Sequence, residues 1–290
     1  MDRNILKEAL VGVNGKRDVD LLVSLSKQHY DELENGNGNA LKECHFIDSS
    51  TALGVNFFLL YEKLHPEATV IFEWNKSSPL KVGGKSNLDV KVDKGKKVIY
   101  YESKFLEPYY MSNSRFTESY FMIENYYDHW KFTEDKLTDI LRSFQSFTYY
   151  NASQLFRHLL AIVNHIIHNK DEYENVSIVE LNNISWEMEN EFIDLLKLTS
   201  RSKSHAIKRF KILKEEELIV KDMFQKIIED YVSDVIPNNL TLLFETSRYN
   251  NVIDLIDNHE GFKKDTLLNE NPSNLRYPQP TPTTDKPTWC

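Results

Sequence analysis

Asn87-Leu88-Asp89-Val90-Lys91 and, after a short lysine-rich turn, Val98-Ile99-Tyr100-Tyr101-Glu102-Ser103-Lys104-Phe105 read as the two strands of a hairpin. The second run is dense in β-branched and aromatic residues, which fit a pleated, half-buried surface. Side chains alternate along a strand, so Val98, Tyr100, Glu102 and Lys104 share one face, with Glu102 and Lys104 roughly 7 Å apart. On the first strand Asp89 and Lys91 share a face opposite to Leu88, Val90 and Val92. Asp93-Lys94-Gly95-Lys96-Lys97 supplies the turn, with Gly95 free to take positive φ. Pairing the two strands brings Asp89 beside Glu102.

Two carboxylates at close range repel, and each is costly to desolvate. A hard divalent cation such as Mg²⁺ relieves both problems. Held by Asp89, Glu102 and the backbone carbonyl of Ser103, it would polarise a phosphodiester and lower the pKa of a bound water. Lys104 would orient that water, assist proton transfer or stabilise charge on the phosphate. The competing reading is a solvated strand face with a cross-strand ion pair. Glu-x-Lys alone does not separate the two, because Glu134-Asp135-Lys136 repeats it in a polar stretch that reads as helix.

An Asp followed after twelve residues by Glu-x-Lys, on two strands behind a helix, resembles the PD-(D/E)xK nuclease superfamily. More narrowly, Ser49-Ser50-Thr51-Ala52-Leu53-Gly54-Val55-Asn56-Phe57-Phe58 and Glu102-Ser103-Lys104-Phe105-Leu106-Glu107-Pro108-Tyr109 are similar to a bacterial branch of restriction-endonuclease-like proteins. Ser153-Gln154-Leu155-Phe156-Arg157 fits the Gln-Leu-x-Arg segment that this branch carries on its next core helix. The resemblance spans about residues 45 to 185, with weaker similarity near Leu240 to Tyr249. It implies an α/β core of helix, three strands, helix and strand, with extra helices at both ends. It implies Mg²⁺, replaceable by Mn²⁺, as cofactor and DNA cleavage as activity, in restriction or another anti-phage defence. Carried over by position, Asp89 and Glu102 are metal ligands, Lys104 is the catalytic lysine and Gln154 lies behind the site. The superfamily's Pro before its Asp is replaced by Leu88. Many such nucleases cut as dimers, so a homodimer is an expectation.

A third acid has two candidates. A helix from about Ser50 to Leu64, with Asp48 or Ser49 as N-cap, places Val55, Phe58, Leu59 and Glu62 on one stripe. Glu73 ends the strand expected at Ala68 to Trp74. Long helices are expected at about 114–128 and 133–148, a largely apolar helix at Ala152 to His168, a fourth strand at Val176 to Leu181, and another strand at Leu240 to Glu245. The apolar helix keeps a polar stripe of Gln154, Arg157, His158 and His165. His165 and His168, at i and i+3, read as a surface pair in preference to a metal site. The aromatics at Tyr126, Tyr127 and Trp130 read as core in preference to a base-stacking platform.

Charge is uneven. The 35 Lys and Arg against 44 Asp and Glu give −9, which argues against a protein that coats DNA generally. Basic residues gather from Lys81 to Lys104 and from Arg201 to Lys214. Lys85, Lys91, Arg157, Lys203, Lys208 and Arg209 are therefore candidate phosphate contacts, against the alternative of a solvated helix face for the second group. Cys44 and Cys290 are the only cysteines, too few for a disulfide framework or zinc site, and consistent with a reducing cytoplasm. No signal-peptide core or membrane-length apolar run is read. With nine glycines and no phosphate-cradling loop, a nucleotide-driven motor is not expected. The organisation expected is an N-terminal helical extension (1–44), the nuclease core (45–185), a mostly helical part packed on it (186–270) and a Pro-rich tail (271–290). Alternatives are a nuclease of the same fold acting on structured or damaged DNA or RNA, and a non-catalytic nucleic-acid-binding or interaction module.

Overall fold

The structure, a computed structural model, describes residues 21, 23–36, 39–44, 49–75, 86–105, 107, 115–127, 129–186 and 200–249. The proposed tail and most of the first twenty-five residues lie outside this set. Within it the elements are α1 (Lys27–Asn35), α2 (Ala40–Glu43), α3 (Ser50–Leu64), β1 (Thr69–Trp74), β2 (Leu88–Asp93), β3 (Lys97–Lys104), α4 (Ile123–Tyr126), α5 (Glu134–Phe144), α6 (Ala152–His168), β4 (Ile178–Ser185), α7 (Ser200–Ile227) and β5 (Thr241–Arg248). The strands form one mixed sheet in sequence order. β1, β2 and β3 are antiparallel neighbours, whereas β4 and β5 run parallel to β3. This is the helix, three-strand, helix, strand order expected, extended by β5.

The hairpin forms as its sequence dictates. Gly95 has φ +71, and its N–H donates to the Asp93 carboxylate at 2.9 Å, closing the turn. α3 starts where Ser49 accepts from the N–H groups of Thr51 and Ala52. Its apolar face, including Leu53, Phe57 and Leu60, packs with Val70, Phe72, Val90 and Val92 on one side of the sheet. On the other side α5, α6 and α7 bury Leu141, Leu159, Val163, Val220 and Phe224 against Val98, Tyr100, Val179, Leu181, Leu242 and Phe244. β5 and α7 thus share a core with β3, β4, α5 and α6. Among the described residues no helix is long and apolar enough to cross a membrane.

β1 lies at one end of the strand order. The Val70 N–H donates to Glu62 at 3.0 Å and the Phe72 N–H to Glu32 at 2.9 Å. Two carboxylates from α3 and α1 thereby cap backbone donors of that strand.

Three expectations need correction. The single long helix at 114–128 is a 3-10 turn at Glu118–Phe121 followed by α4, separated by Met122 in extended conformation (φ −101, ψ 116). Tyr120 and Tyr126 stack there with ring centroids 4.5 Å apart, and Tyr126, Tyr127 and Trp130 enter the core. Aromatic packing has overridden helix continuity. Leu88 does not stay with Val90 and Val92. Glu73 has φ +49, which breaks the alternation of β1, so Trp74 and its partner Leu88 join the α6-side core. β4 ends at Ser185, well beyond Leu181, because Asn182 finds partners in Glu180 and Ser247 of the sheet and Asn183 in Tyr150 of the loop before α6.

Candidate active site

The apolar rows on the α6 side of the sheet turn polar at the C-terminal ends of the parallel strands. Val98, Val179 and Leu242 are in register, as are Tyr100, Leu181 and Phe244. The next rows along are Glu102, Asn183 and Thr246, then Lys104, Ser185 and Arg248. The β2–β3 pairing runs to Val90–Tyr101, so Asp89 and Glu102 are the next residues along, and the Glu102 charge acts on Asp89. Asp89 and Glu102 therefore meet on neighbouring strands, and the Asp89 carboxylate accepts the Ser103 N–H at 2.7 Å.

Glu102 is 1 % exposed. Its Oε1 accepts from the Lys104 ammonium and from Gln154 Nε2, the latter at 2.7 Å. Asn151, the N-cap of α6, accepts from the Gln154 N–H and donates to its Oε1 at 2.8 Å, so that side chain is held before it reaches Glu102. The loop entering α6 is fixed in turn by Glu216 of α7, which accepts three backbone N–H groups, from Thr148, Tyr149 and Tyr150, at 2.8–2.9 Å. Behind β3 the Ser103 hydroxyl donates to Ser50 O at 3.0 Å and meets the Tyr249 hydroxyl at 2.7 Å. Gly54 lets α3 approach this closely: a Cβ there would stand 3.3 Å from Ser103 Oγ.

The two carboxylates titrate in opposite senses. Burial works to raise the Glu102 carboxyl, but the Lys104 ammonium and His158 overcome it and bring its pKa to about 2. Burial and the neighbouring Glu102 charge push Asp89 well above the usual carboxylate range, against the pull of Lys104. Burial would also neutralise Lys104, and Glu102 and Asp89 keep it charged. Without a cation, burial and the Glu102 charge disfavour the charged form of Asp89, while Glu102 and Lys104 hold each other in their charged forms.

Asp89 and Glu102 are the oxygen donors a hard cation would use. Glu102 Oε2 is buried without an aligned hydrogen bond, an acceptor with a lone pair to spare. Among the described residues no three His, Cys, Asp or Glu side chains cluster closely enough to hold a metal, so remaining ligands would be backbone carbonyl or water. Glu73 is buried and close enough to Asp89 to raise its pKa further. Glu62 is elsewhere, bonded to Val70 and 3.4 Å from His29.

The candidate basic residues scatter. Lys91 lies 3.8 Å from Asp93 and over the Tyr100 ring. Arg157 donates to Arg115 O at 3.5 Å and lies over Phe116. Lys208 is exposed and Arg209 half-buried on α7. Lys85 and the Lys203 side chain lie outside the described residues. His165 is buried and 3.2 Å from Glu172, while His168 bonds Asn164 O, so they form no joint site. His158 was visible only as part of the α6 polar stripe, yet its Nε2 is 2.9 Å from Glu102 Oε2. Its i+4 spacing from Gln154 was the available signal.

A family model described as "Restriction Endonuclease associating with ARP" matches residues 27–233, more than half of the chain. The chain belongs to this family. The matched span contains β1 to β4 and α1 to α7, with every residue of the Asp89, Glu102, Lys104 and Gln154 group. No curated protein and no solved structure shows a match. A restriction-endonuclease family is a nuclease family, and the five-stranded mixed sheet with flanking helices is consistent with a restriction-endonuclease-like core.

Proposed function

We propose that this member of the restriction-endonuclease family is a Mg²⁺-dependent endonuclease that hydrolyses phosphodiester bonds in DNA, in restriction or anti-phage defence. The observation that carries the reading is the meeting of Asp89 and Glu102 across the β2–β3 register, with Lys104 and Gln154 on the same Glu102 oxygen. A solvated ion pair has no use for a carboxylate buried to this degree and contacted from two elements. Such burial is expensive unless the charge has a task.

Asp89, Glu102 and the Ser103 carbonyl would hold the cation, which supplies charge neutralisation at the phosphate and a more acidic water. Cation binding would favour the charged form of Asp89, which burial and the neighbouring Glu102 charge otherwise disfavour. Lys104 keeps its proton and stabilises negative charge building on the phosphate. Gln154 fixes the Glu102 carboxylate while this occurs. Of the two further acids, Glu73 stands nearer the site than Glu62: it acts on Asp89 and has a left-handed backbone conformation, and strained non-glycine residues collect at functional sites, so it would influence the site through Asp89 and not as a cation ligand.

Incubation with supercoiled plasmid, single-stranded DNA and RNA, each with Mg²⁺ or Mn²⁺, tests the proposal. Cleavage of plasmid by wild type and its loss in Asp89→Ala and Lys104→Ala are expected. Equal cleavage by wild type and Asp89→Ala would sink the site assignment, and preference for RNA would replace the substrate.

A further inference from the structure

We infer that His158 is a positioning residue for Glu102, with Ser86 setting the orientation of its ring. The inference rests on the reading of Glu102 as a cation ligand. Gln154 and His158 stand one helical turn apart on α6 and therefore point the same way. Gln154 reaches Glu102 Oε1 and His158 reaches Oε2, so one helix addresses both oxygens of one carboxylate. With Lys104 from β3 as the third contact, rotation of the carboxylate is opposed from three directions.

The histidine is built into place. It is 3 % exposed, and its Nδ1 lies 2.7 Å from the Ser86 hydroxyl, two residues before β2. A hydroxyl that donates to Nδ1 leaves the ring proton on Nε2, the nitrogen that faces Glu102. Among the described residues neither His158 Nε2 nor Glu102 Oε2 has an aligned hydrogen bond to any group. Each is thus the natural partner of the other at 2.9 Å, in the off-axis geometry common for functional contacts before ligand binds. Two polar atoms buried together at that distance would be costly if they did not serve each other. The Ser86–His158–Glu102 chain also ties the start of β2, which carries Asp89, to β3. It fixes the spacing between the two carboxylates as well as the direction of one.

Two measurements on the full chain test this. In metal-free wild type with ¹⁵N-labelled histidine, long-range ¹⁵N–¹H correlation should show the His158 proton on Nε2, and Ser86→Ala should perturb that signal. A proton on Nδ1 alone would leave Glu102 without its donor and overturn the inference. Mn²⁺ titration followed by EPR should then show affinity about 10–100-fold weaker in His158→Ala, with partial recovery in His158→Gln, whose amide can also donate. Unchanged Mn²⁺ affinity in folded His158→Ala would equally overturn it. Wild type that binds no Mn²⁺ would defeat the nuclease reading instead, and the metal-free spectrum would still decide the His158 contact.

Discussion

Gln154 on the first turn of α6 donates to Glu102 on β3 at 2.7 Å, a side-chain bond between residues 52 apart in the chain. Gln154→Ala should therefore lower cleavage about 10–100-fold by loosening Glu102, with little change in melting temperature. Gln154→Glu should be worse, because it sets a second carboxylate against Glu102. Steady-state rates with plasmid at saturating Mg²⁺, alongside thermal melts, check both.

Asp89→Asn should abolish cleavage and stabilise the metal-free protein. The Asp89 pKa is raised on folding, so the unfolded chain ionises first. Stability is therefore lost as pH climbs from the ordinary value of 3.8 toward the folded value. Asparagine removes that loss and still accepts from the Ser103 N–H. A melting temperature at pH 7 above that of wild type, with activity gone, is the expected pair. For a chain of this size about 2–4 °C corresponds to 1 kcal/mol.

Glu102 has the opposite sign. Its folded pKa of about 2 lies below the ordinary 4.5, so its contribution to stability is full above 4.5 and is lost as pH falls from there through about 2. Lys104→Met leaves a buried carboxylate without its ammonium and should destabilise by about 3 kcal/mol. Urea unfolding at pH 7 and pH 3 checks the pair: the gap between wild type and variant should narrow at the lower pH.

The two third-acid candidates separate by what each substitution damages. Glu62→Gln should weaken an acceptor for the Val70 N–H, at a cost of about 1 kcal/mol, and leave cleavage intact. Glu73→Gln should lower cleavage and change stability little. The reverse pattern would return the role to Glu62.

Glu216→Ala removes the acceptor of three backbone N–H groups in the loop entering α6. A loss of about 1–3 kcal/mol is expected for groups left unsatisfied, together with reduced activity because that loop leads into Gln154. Denaturant titration and cleavage rates should fall together.

Much of the site was legible because it sits on local pattern. Alternation in Val98–Lys104 and the Asp93–Gly95 turn marked the hairpin, and its register, which runs to Val90–Tyr101, brings Asp89 near Glu102. Ser49 and the apolar run after it marked α3. What could not be read depended on partners far along the chain. Asn182 and Asn183 resemble a turn until Ser247 and Tyr150 are there to bond them. His158 reads as one polar residue among four until Ser86 and Glu102 close around it. Glu62 reads either as a third acid or as a stripe-edge residue at solvent until α3 packs and delivers it to Val70.

The carboxylates of Glu32 and Glu62 have a consequence for how molecules of this protein can meet. Backbone donors of an end strand invite another chain to continue the sheet, and on β1 those of Val70 and Phe72 are already taken by charged side chains. A second copy laying a strand there would have to displace two carboxylates and desolvate them. Among the described residues, growth of the sheet beyond β1 is thus opposed beside the β2–β3 hairpin, at the edge where Glu32 and Glu62 sit.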